Sequence, residues 1–180
     1  MGKLKLAKIK ALLMDKTTNS PIVILEVEGT SRVIPIWIGN CEAWVLAMAL
    51  EKMDFPRPLT HDLLLSCVEN LNARLEKVVI HSVKDNTYYA SLYLVKDEEE
   101  LLEIDSRPSD AMVLAVKTGV PIFVTTDLII ENGIELFESE EESEEDKEFK
   151  KFVENLDIEQ FKKIFKDKNR EEKEEEGDED

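Results

Sequence analysis

Two short stretches of the sequence bring together residue types that can bind a cation or a phosphate group. The first, residues 105–110, reads Asp-Ser-Arg-Pro-Ser-Asp, so two carboxylates flank an arginine and two hydroxyls. Mg²⁺ commonly takes one or two such carboxylates together with water and substrate phosphate, and Arg107 can bind a phosphate through two parallel hydrogen bonds or stabilise charge that develops in phosphoryl transfer. The stretch suits a structural role equally well, with Ser106 and Asp110 capping a helix and Arg107 paired with a carboxylate.

The second stretch, residues 55–62, reads Phe-Pro-Arg-Pro-Leu-Thr-His-Asp. Prolines on both sides of Arg57 restrict the backbone and hold that side chain in one place. His61 can act as a general base, and Asp62 can orient it or bind a metal. In the structural alternative, Thr60 and Asp62 cap a helix and His61 is a surface residue.

An internal similarity links the first of these stretches to an earlier segment. Residues 41–47 (CEAWVLA) and 109–115 (SDAMVLA) match at an offset of 68 residues, and each segment opens an apolar helix that carries one acid, Glu42 or Asp110, in its first turn. In one interpretation the two acids serve only to complement the helix dipoles. Alternatively, a duplicated unit brings both carboxylates to one site, or the likeness between two apolar helices is accidental.

Hydrophobic periodicity and turn residues predict the elements that carry these side chains. The predicted strands span 3–15, 22–28, 32–38, 75–83, 87–95, 101–105 and 121–125; the predicted helices span 40–53, 60–72 and 108–119, with a helical turn at 127–131. Hairpins dominate, and helices neither alternate strictly with strands nor segregate from them. The sequence therefore predicts an α+β fold with a mainly antiparallel or mixed sheet, packed helices and a C-terminal helical appendage.

Charged residues are unevenly distributed along the chain of 180 residues, whose net charge is −17. Residues 138–180 carry 20 acidic and 9 basic side chains, which leaves −6 for residues 1–137. We expect an α+β domain over 1–137, an acidic linker over 138–148, short helical segments over 149–168 and a disordered acidic tail over 169–180. This acidity argues against sequence-specific, high-affinity nucleic-acid binding.

Other features exclude several classes of protein. Cys41 and Cys67 lie 26 residues apart without metal-site spacing, which argues against a zinc site or a disulfide scaffold and favours a reducing cytoplasm. No apolar run reaches the length of about 20 residues that a membrane span requires. We therefore expect a cytoplasmic protein with no membrane partner.

Several motifs in a fixed order resemble the bifunctional nuclease family. They are PIWIG with Glu42-Ala43, PRPLTHDLL at 56–64, VVI at 78–80, DNTYYA at 85–90, IDSRPSDA at 104–111 and PIFV at 121–124. The resemblance covers about residues 4–155. It implies an α+β domain, homo-oligomerisation, and hydrolysis of both DNA and RNA; the acidic tail departs from the minimal family domain.

The residues and the resemblance together lead to the hypothesis of a metal-dependent nuclease that uses Mg²⁺ or Mn²⁺. The expected catalytic residues are His61, Arg57 and Arg107, and the expected metal ligands are Asp105, Asp110, Glu42 and Asp62. In this hypothesis the arginines contact phosphate and His61 assists proton transfer. The alternative is a non-enzymatic oligomeric protein that binds a partner or a small anion, with the same residues serving folding and assembly.

Overall fold

The computed structural model describes residues 2–97 and 99–135 of the chain. The predicted linker (138–148), helical segments (149–168) and tail (169–180) therefore lie outside the described residues. The elements follow one another as β1 (Leu4–Asp15), β2 (Ser20–Val27), β3 (Arg32–Trp37), α1 (Asn40–Leu50), α2 (Thr60–Asn70), β4 (Ala73–Lys84), β5 (Thr87–Lys96), β6 (Glu100–Ser106), α3 (Pro108–Thr118), β7 (Ile122–Thr125), α4 (Thr126–Asn132) and β8 (Ile134–Glu135).

The strands form one mixed sheet, which confirms the predicted α+β class. Its order is β6-β5-β4-β7-β1-β2-β3-β8. Neighbouring strands of the described residues are antiparallel except β4 and β7, which are parallel. The short strand β7 thus joins two antiparallel meanders, β1-β2-β3 on one side and β4-β5-β6 on the other.

The core lies on one face of this sheet, where α1 and α3 pack against each other and against the strands. The sheet curls around them, so that strands far apart in its order come into contact. The Tyr88 hydroxyl of β5 donates to the carbonyl oxygen of Pro35 in β3 at 2.9 Å, although four strands lie between β5 and β3 in the sheet. Helix α2 differs from its neighbours, since none of its residues is fully buried. It lies at the margin of the core and borders a large cavity.

The caps of two helices lie one residue earlier than the sequence predicts. Asn40 and Thr60 have side chains that favour caps and open the predicted helices 40–53 and 60–72; they lie inside α1 and α2, and the extended residues Gly39 and Leu59 precede these helices. Neither helix has a side-chain cap of the expected kind. In α2 the carboxylate of Asp62, at the third helical position, instead accepts the backbone N–H of Leu59 at 2.9 Å, which satisfies one donor that the helix itself leaves unpaired.

The local signals at α3 and at the β4-β5 turn are confirmed. Pro108 occupies the first helical position of α3 and Gly119 ends it with a left-handed φ of 76°. Asp85 and Asn86 adopt positive φ angles of 50° and 58°, as a tight two-residue hairpin requires. The residue before α3 is Arg107, so the predicted capping role of Ser106 is wrong: its hydroxyl donates to the Arg107 carbonyl.

Candidate functional site

The two motif stretches meet at Arg107, which lies at the start of α3. Its Nε and Nη2 donate to the two carboxylate oxygens of Asp110 at 2.6 and 3.1 Å. Its Nη1 donates to Glu42 Oε1, in the first turn of α1, at 2.8 Å. Three of the five guanidinium N–H groups are thereby used, and the side chain is still 64% exposed. Arg107 can therefore accept an anionic ligand without first losing its carboxylate partners.

Helix α2 brings His61 to the same carboxylate. His61 Nε2 lies 2.9 Å from Asp110 Oδ1, and the imidazole is only 15% exposed. Burial alone would raise the pKa of Asp110, but hydrogen bonds from Arg107 and His61 outweigh burial and lower that pKa below its usual value. An ionised carboxylate only accepts hydrogen bonds, so His61 Nε2 must carry the proton. In the neutral ring Nδ1 then holds the lone pair.

The internal similarity therefore has a geometric counterpart. Glu42 and Asp110 occupy matching positions in the first turns of α1 and α3, and one guanidinium binds both. Their negative charges also raise the pKa of Arg107, with the hydrogen bonding that Arg107 donates to Asp110 as the largest cause. The two helices bring together carboxylates 68 residues apart in sequence.

Asp62, predicted as a metal ligand, points to a separate ion pair. Its Oδ1 lies 2.7 Å from Lys117 Nζ near the end of α3, and its other oxygen accepts the Leu59 N–H. Burial would raise the pKa of Asp62, but the hydrogen bonds from Lys117 and Leu59 lower it overall. Asp62 does not line the cavity that His61 and Asp110 border.

The His61–Asp110–Arg107–Glu42 network borders a cavity of about 1080 Å³ between the helices and strands β4, β5 and β6. This volume is large enough for a drug-sized ligand or a nucleotide. Asp105 and Ser106 line it from the end of β6, whereas Arg57 is exposed in the preceding loop and is absent from its lining. Its apolar wall includes Val45, Met48, Leu64, Val68, Leu94 and Ile104.

The predicted metal ligands do not form a ready-made cation site in this arrangement. Among residues 2–97 and 99–135, no three His, Cys, Asp or Glu side chains are grouped as metal ligands. Glu42, Asp62 and Asp110 are instead paired with the cationic side chains of Arg107 and Lys117. A divalent cation would have to compete with these partners or use Asp105 with oxygens from water and substrate. The metal requirement stays a prediction.

Lys117 and the apolar wall of the cavity were not among the features predicted from the sequence. Lys117 lies seven residues after Asp110, which is two helical turns and places both side chains on one face of α3. That spacing was a usable signal. The apolar wall was not recognisable, because β4, β5 and α2 become neighbours only in the fold.

The helices of the described residues are all too short or too polar to cross a membrane.

A comparison with protein families assigns the class of this domain. The family model described as the bifunctional nuclease domain matches residues 23–137, which include the whole His61–Asp110–Arg107–Glu42 network. The chain belongs to the bifunctional nuclease domain family.

Individual relatives support this membership. The chain is 31% identical over 169 residues to an uncharacterized protein of Mycobacterium tuberculosis, covering 90% of this chain and 99% of the relative. It is 29% identical over 126 residues to Bifunctional nuclease 1 of Oryza sativa subsp. indica, and 28% identical over 123 residues to Bifunctional nuclease 2 of Arabidopsis thaliana. These matches cover 69% and 67% of this chain but only 38% and 37% of the plant proteins.

Proposed function

We propose that this chain is a nuclease that hydrolyses phosphodiester bonds of DNA, RNA or both at the mouth of the cavity. One observation carries the proposal: a histidine, a carboxylate and a partly exposed arginine are joined by hydrogen bonds of 2.6 to 3.1 Å beside a space that fits a nucleotide. The family name and the names of the plant relatives point to the same chemistry.

His61 is the proposed general base. With Nε2 donating to Asp110, Nδ1 can take a proton from a water molecule, and the resulting hydroxide attacks phosphorus while the bond to the leaving oxygen breaks. Asp110 fixes the tautomer and stabilises the imidazolium that forms, as the carboxylate does in hydrolase triads. The proton on His61 can then pass to the leaving oxygen, which restores the neutral ring.

Arg107 is the proposed phosphate contact. Its two unused N–H groups can bind non-bridging oxygens, and its fixed charge stabilises the additional negative charge of the transition state. Glu42 holds the guanidinium from the opposite side and is a positioning residue. Arg57 is exposed in the loop before α2, and its role as a second phosphate contact stays a prediction from the sequence.

Dependence on Mg²⁺ or Mn²⁺ is proposed as a further property of the reaction. Such an ion would supply charge neutralisation at the phosphate. Asp105 and Glu42 are the carboxylates of the cavity lining that are available besides Asp110. No step above depends on the ion.

Cleavage of labelled oligonucleotides tests this proposal. The full chain is incubated with fluorescent single-stranded DNA and RNA in Mg²⁺, in Mn²⁺ and in EDTA. His61→Ala and Asp110→Asn should each lower the cleavage rate by about 10² to 10⁴, the range of general acid–base catalysis. Asp54→Asn, which alters an exposed acid in the α1–α2 loop, should leave the rate unchanged.

Three results would each contradict part of this account. Wild-type rates in folded His61→Ala and Asp110→Asn proteins would remove both residues from the mechanism, and absence of cleavage by the wild-type chain would remove the nuclease proposal. Full activity in EDTA would overturn metal dependence while leaving the histidine mechanism intact.

A second candidate function is supported by the apolar wall of the cavity. Such a surface suits a bound partner or a small anion with an apolar portion, and in that case the ion pairs serve to hold α1, α2 and α3 together. An oligonucleotide that binds without being cut would favour this candidate. For either function we propose a cytoplasmic location, in keeping with the exposed free thiols of Cys41 and Cys67.

A further inference from the structure

The sheet face opposite the core carries a row of cations beside two tyrosines. We call it the outer platform and define it by Arg74, Lys77 and Lys84 of β4 with Tyr89, Ser91 and Tyr93 of β5. Strand neighbours Leu75, Val78, Leu92 and Leu94 belong to the core cluster on the other face, and side chains alternate between faces along a strand. Lys77 Nζ lies 4.8 Å from the centre of the Tyr93 ring and Lys84 Nζ lies 5.8 Å from that of Tyr89.

Two irregularities in β4 create this arrangement. The pairing of β4 with β5 shifts between Leu75 and Lys77 and again between Ile80 and Ser82. Each shift inserts one residue and so reverses the face on which the following side chains lie. Lys77 thereby becomes the direct neighbour of Tyr93 instead of pointing into the core. A β-bulge that re-aims a lysine beside an aromatic ring is a feature expected of a binding surface.

Acidic residues border the platform along β6, whereas on β4 its three cations outnumber the one exposed acid of that strand, Glu76. Glu103 of β6 is paired with Tyr93, and Asp105 is paired with Ser91. Hydrogen bonding with Ser91 and Tyr93 lowers the pKa of Glu103 below its usual value. A polyanion on this surface would be repelled from β6 and attracted to β4. The charges therefore predict the orientation of a bound nucleic-acid strand, whose phosphates would lie over β4 and whose bases would lie over β5.

We propose that the outer platform binds single-stranded nucleic acid, with bases stacked on Tyr89 and Tyr93 and phosphates held by Lys77, Lys84 and Arg74. The proposal rests on the proposed nuclease function and adds a binding site outside the cavity. The two tyrosines are four residues apart on one strand, about 13 Å, so the platform holds two or three nucleotides, as other sheet surfaces with stacking aromatics do. Stacking of a base is stronger than an exposed cation–π contact, so each base displaces a lysine toward the adjacent phosphate.

The platform also connects with the cavity. Asp105 belongs to the edge of the outer platform through its pairing with Ser91, and it lines the cavity as well. The acids of β6 end at Asp105, so a strand that leaves the platform past Ser106, the last residue of β6 and the partner of Ala90, reaches Arg107, where the proposed chemistry takes place. The platform would thus hold one part of a strand while another part enters the cavity.

Fluorescence anisotropy of the full chain tests the proposal. A labelled oligo(dT) 15-mer is titrated at low ionic strength in EDTA, because rising salt weakens the contacts between the cations of the platform and the phosphates. Tyr89→Leu and Tyr93→Leu should each weaken binding about tenfold, and Tyr89→Phe should bind as the wild type does, since it keeps the ring. Lys77→Ala combined with Lys84→Ala should lower the slope of log K against log salt by about 1.4, since each phosphate contact on a single strand contributes about 0.7.

The matched control is Lys5→Ala, an exposed lysine of the same sheet that is paired with Val124 and lies on the opposite face. It should bind as the wild type does. The proposed binding role of the outer platform would be overturned by unchanged affinity in both tyrosine-to-leucine variants. It would also be overturned if a matched duplex bound as tightly as the single strand. A wild-type chain that binds the 15-mer through the platform yet never cuts it would overturn the nuclease proposal and leave the platform standing.

Discussion

Asp110 is the residue on which the proposed chemistry depends. One of its oxygens contacts both His61 and Arg107, and the other accepts from Arg107 alone. The carboxylate is only partly buried, so we assign its role to orientation and charge rather than to stability, to which such pairs contribute little. Substitution by asparagine keeps the shape and removes the charge, which is why Asp110→Asn is more informative than Asp110→Ala.

Asp15 provides a pH prediction at the scale of one residue. Its carboxylate accepts from Trp37 Nε1, from the Thr17 N–H and from the Thr18 hydroxyl at 2.8 to 2.9 Å. These bonds, with the one from Trp37 as the largest cause, lower the pKa of Asp15 to about 2. Because the folded pKa lies below the unfolded value of about 3.9, the contribution to stability is complete above pH 4 and is lost as pH falls toward 2.

The measurement compares melting temperatures at pH 7 and pH 2.5. Asp15→Asn should lower Tm at pH 7 and reduce the difference between the two pH values, while the Asp54→Asn control should keep the wild-type difference. A carboxyl NMR titration of Asp15 with a midpoint near 4 would contradict the prediction.

At the scale of elements, α2 packs only the half-buried side chains of Leu65 and Val68 against the core and is also attached by polar contacts. It carries His61 and Asp62, which bind Asp110 and Lys117 of α3 at 2.9 and 2.7 Å. None of its residues is fully buried, whereas α1 and α3 each contain several that are. Low burial predicts low local stability, so amide hydrogens of α2 should exchange faster than those of α3.

A substitution in α3 tests this attachment. Lys117→Met keeps the length of the side chain and removes the cation, so the protection of residues 60–70 in hydrogen–deuterium exchange should fall while that of α1 stays unchanged. Lys5→Met serves as the control. Equal exchange in α2 of both variants would show that apolar contacts, not the ion pair, hold the helix.

The sequence predicted those features that depend on near neighbours. The β4-β5 hairpin followed from Asp85-Asn86, and α3 followed from Pro108 and Gly119, because turn and helix-end chemistry acts within a few residues. The parallel pairing of β4 with β7 and the bulges near Lys77 were not predicted, because they arise from register between distant segments. The same limit applies to the site: the motifs identified Arg107 and Asp110, and the internal similarity offered convergence with Glu42 as one alternative, but the contact between Asp110 and His61 required the folded chain.

At the scale of the whole molecule, homo-oligomerisation is a prediction that the surface supports. On and just after α2, Leu63, Leu64 and Leu71 are 57%, 44% and 68% exposed, and an apolar surface of this kind suits burial against a second copy. The net charge of −17 opposes association, and salt screens that repulsion. Association should therefore strengthen as salt rises.

Sedimentation velocity measures the oligomeric state of the chain. The wild-type chain should sediment as a species larger than its 20.7 kDa monomer, and Leu63→Lys with Leu64→Lys should shift it toward the monomer. Ile130→Lys, at an exposed apolar position of α4, controls for added charge. A wild-type monomer at every salt concentration would show the prediction to be wrong.

The central position of β7 has a consequence for the order in which the protein can form on the ribosome. This four-residue strand pairs with β1 (Leu4 with Thr125) and with β4 (Val78 with Ile122). Both meanders can form from nearby residues as they emerge, but the strand that unites them is made only after both of them. Pairings between distant residues form slowly, so each nascent meander keeps an unpaired edge strand until β7 is available. The two meanders can therefore join into one sheet only after residue 125 has left the exit tunnel.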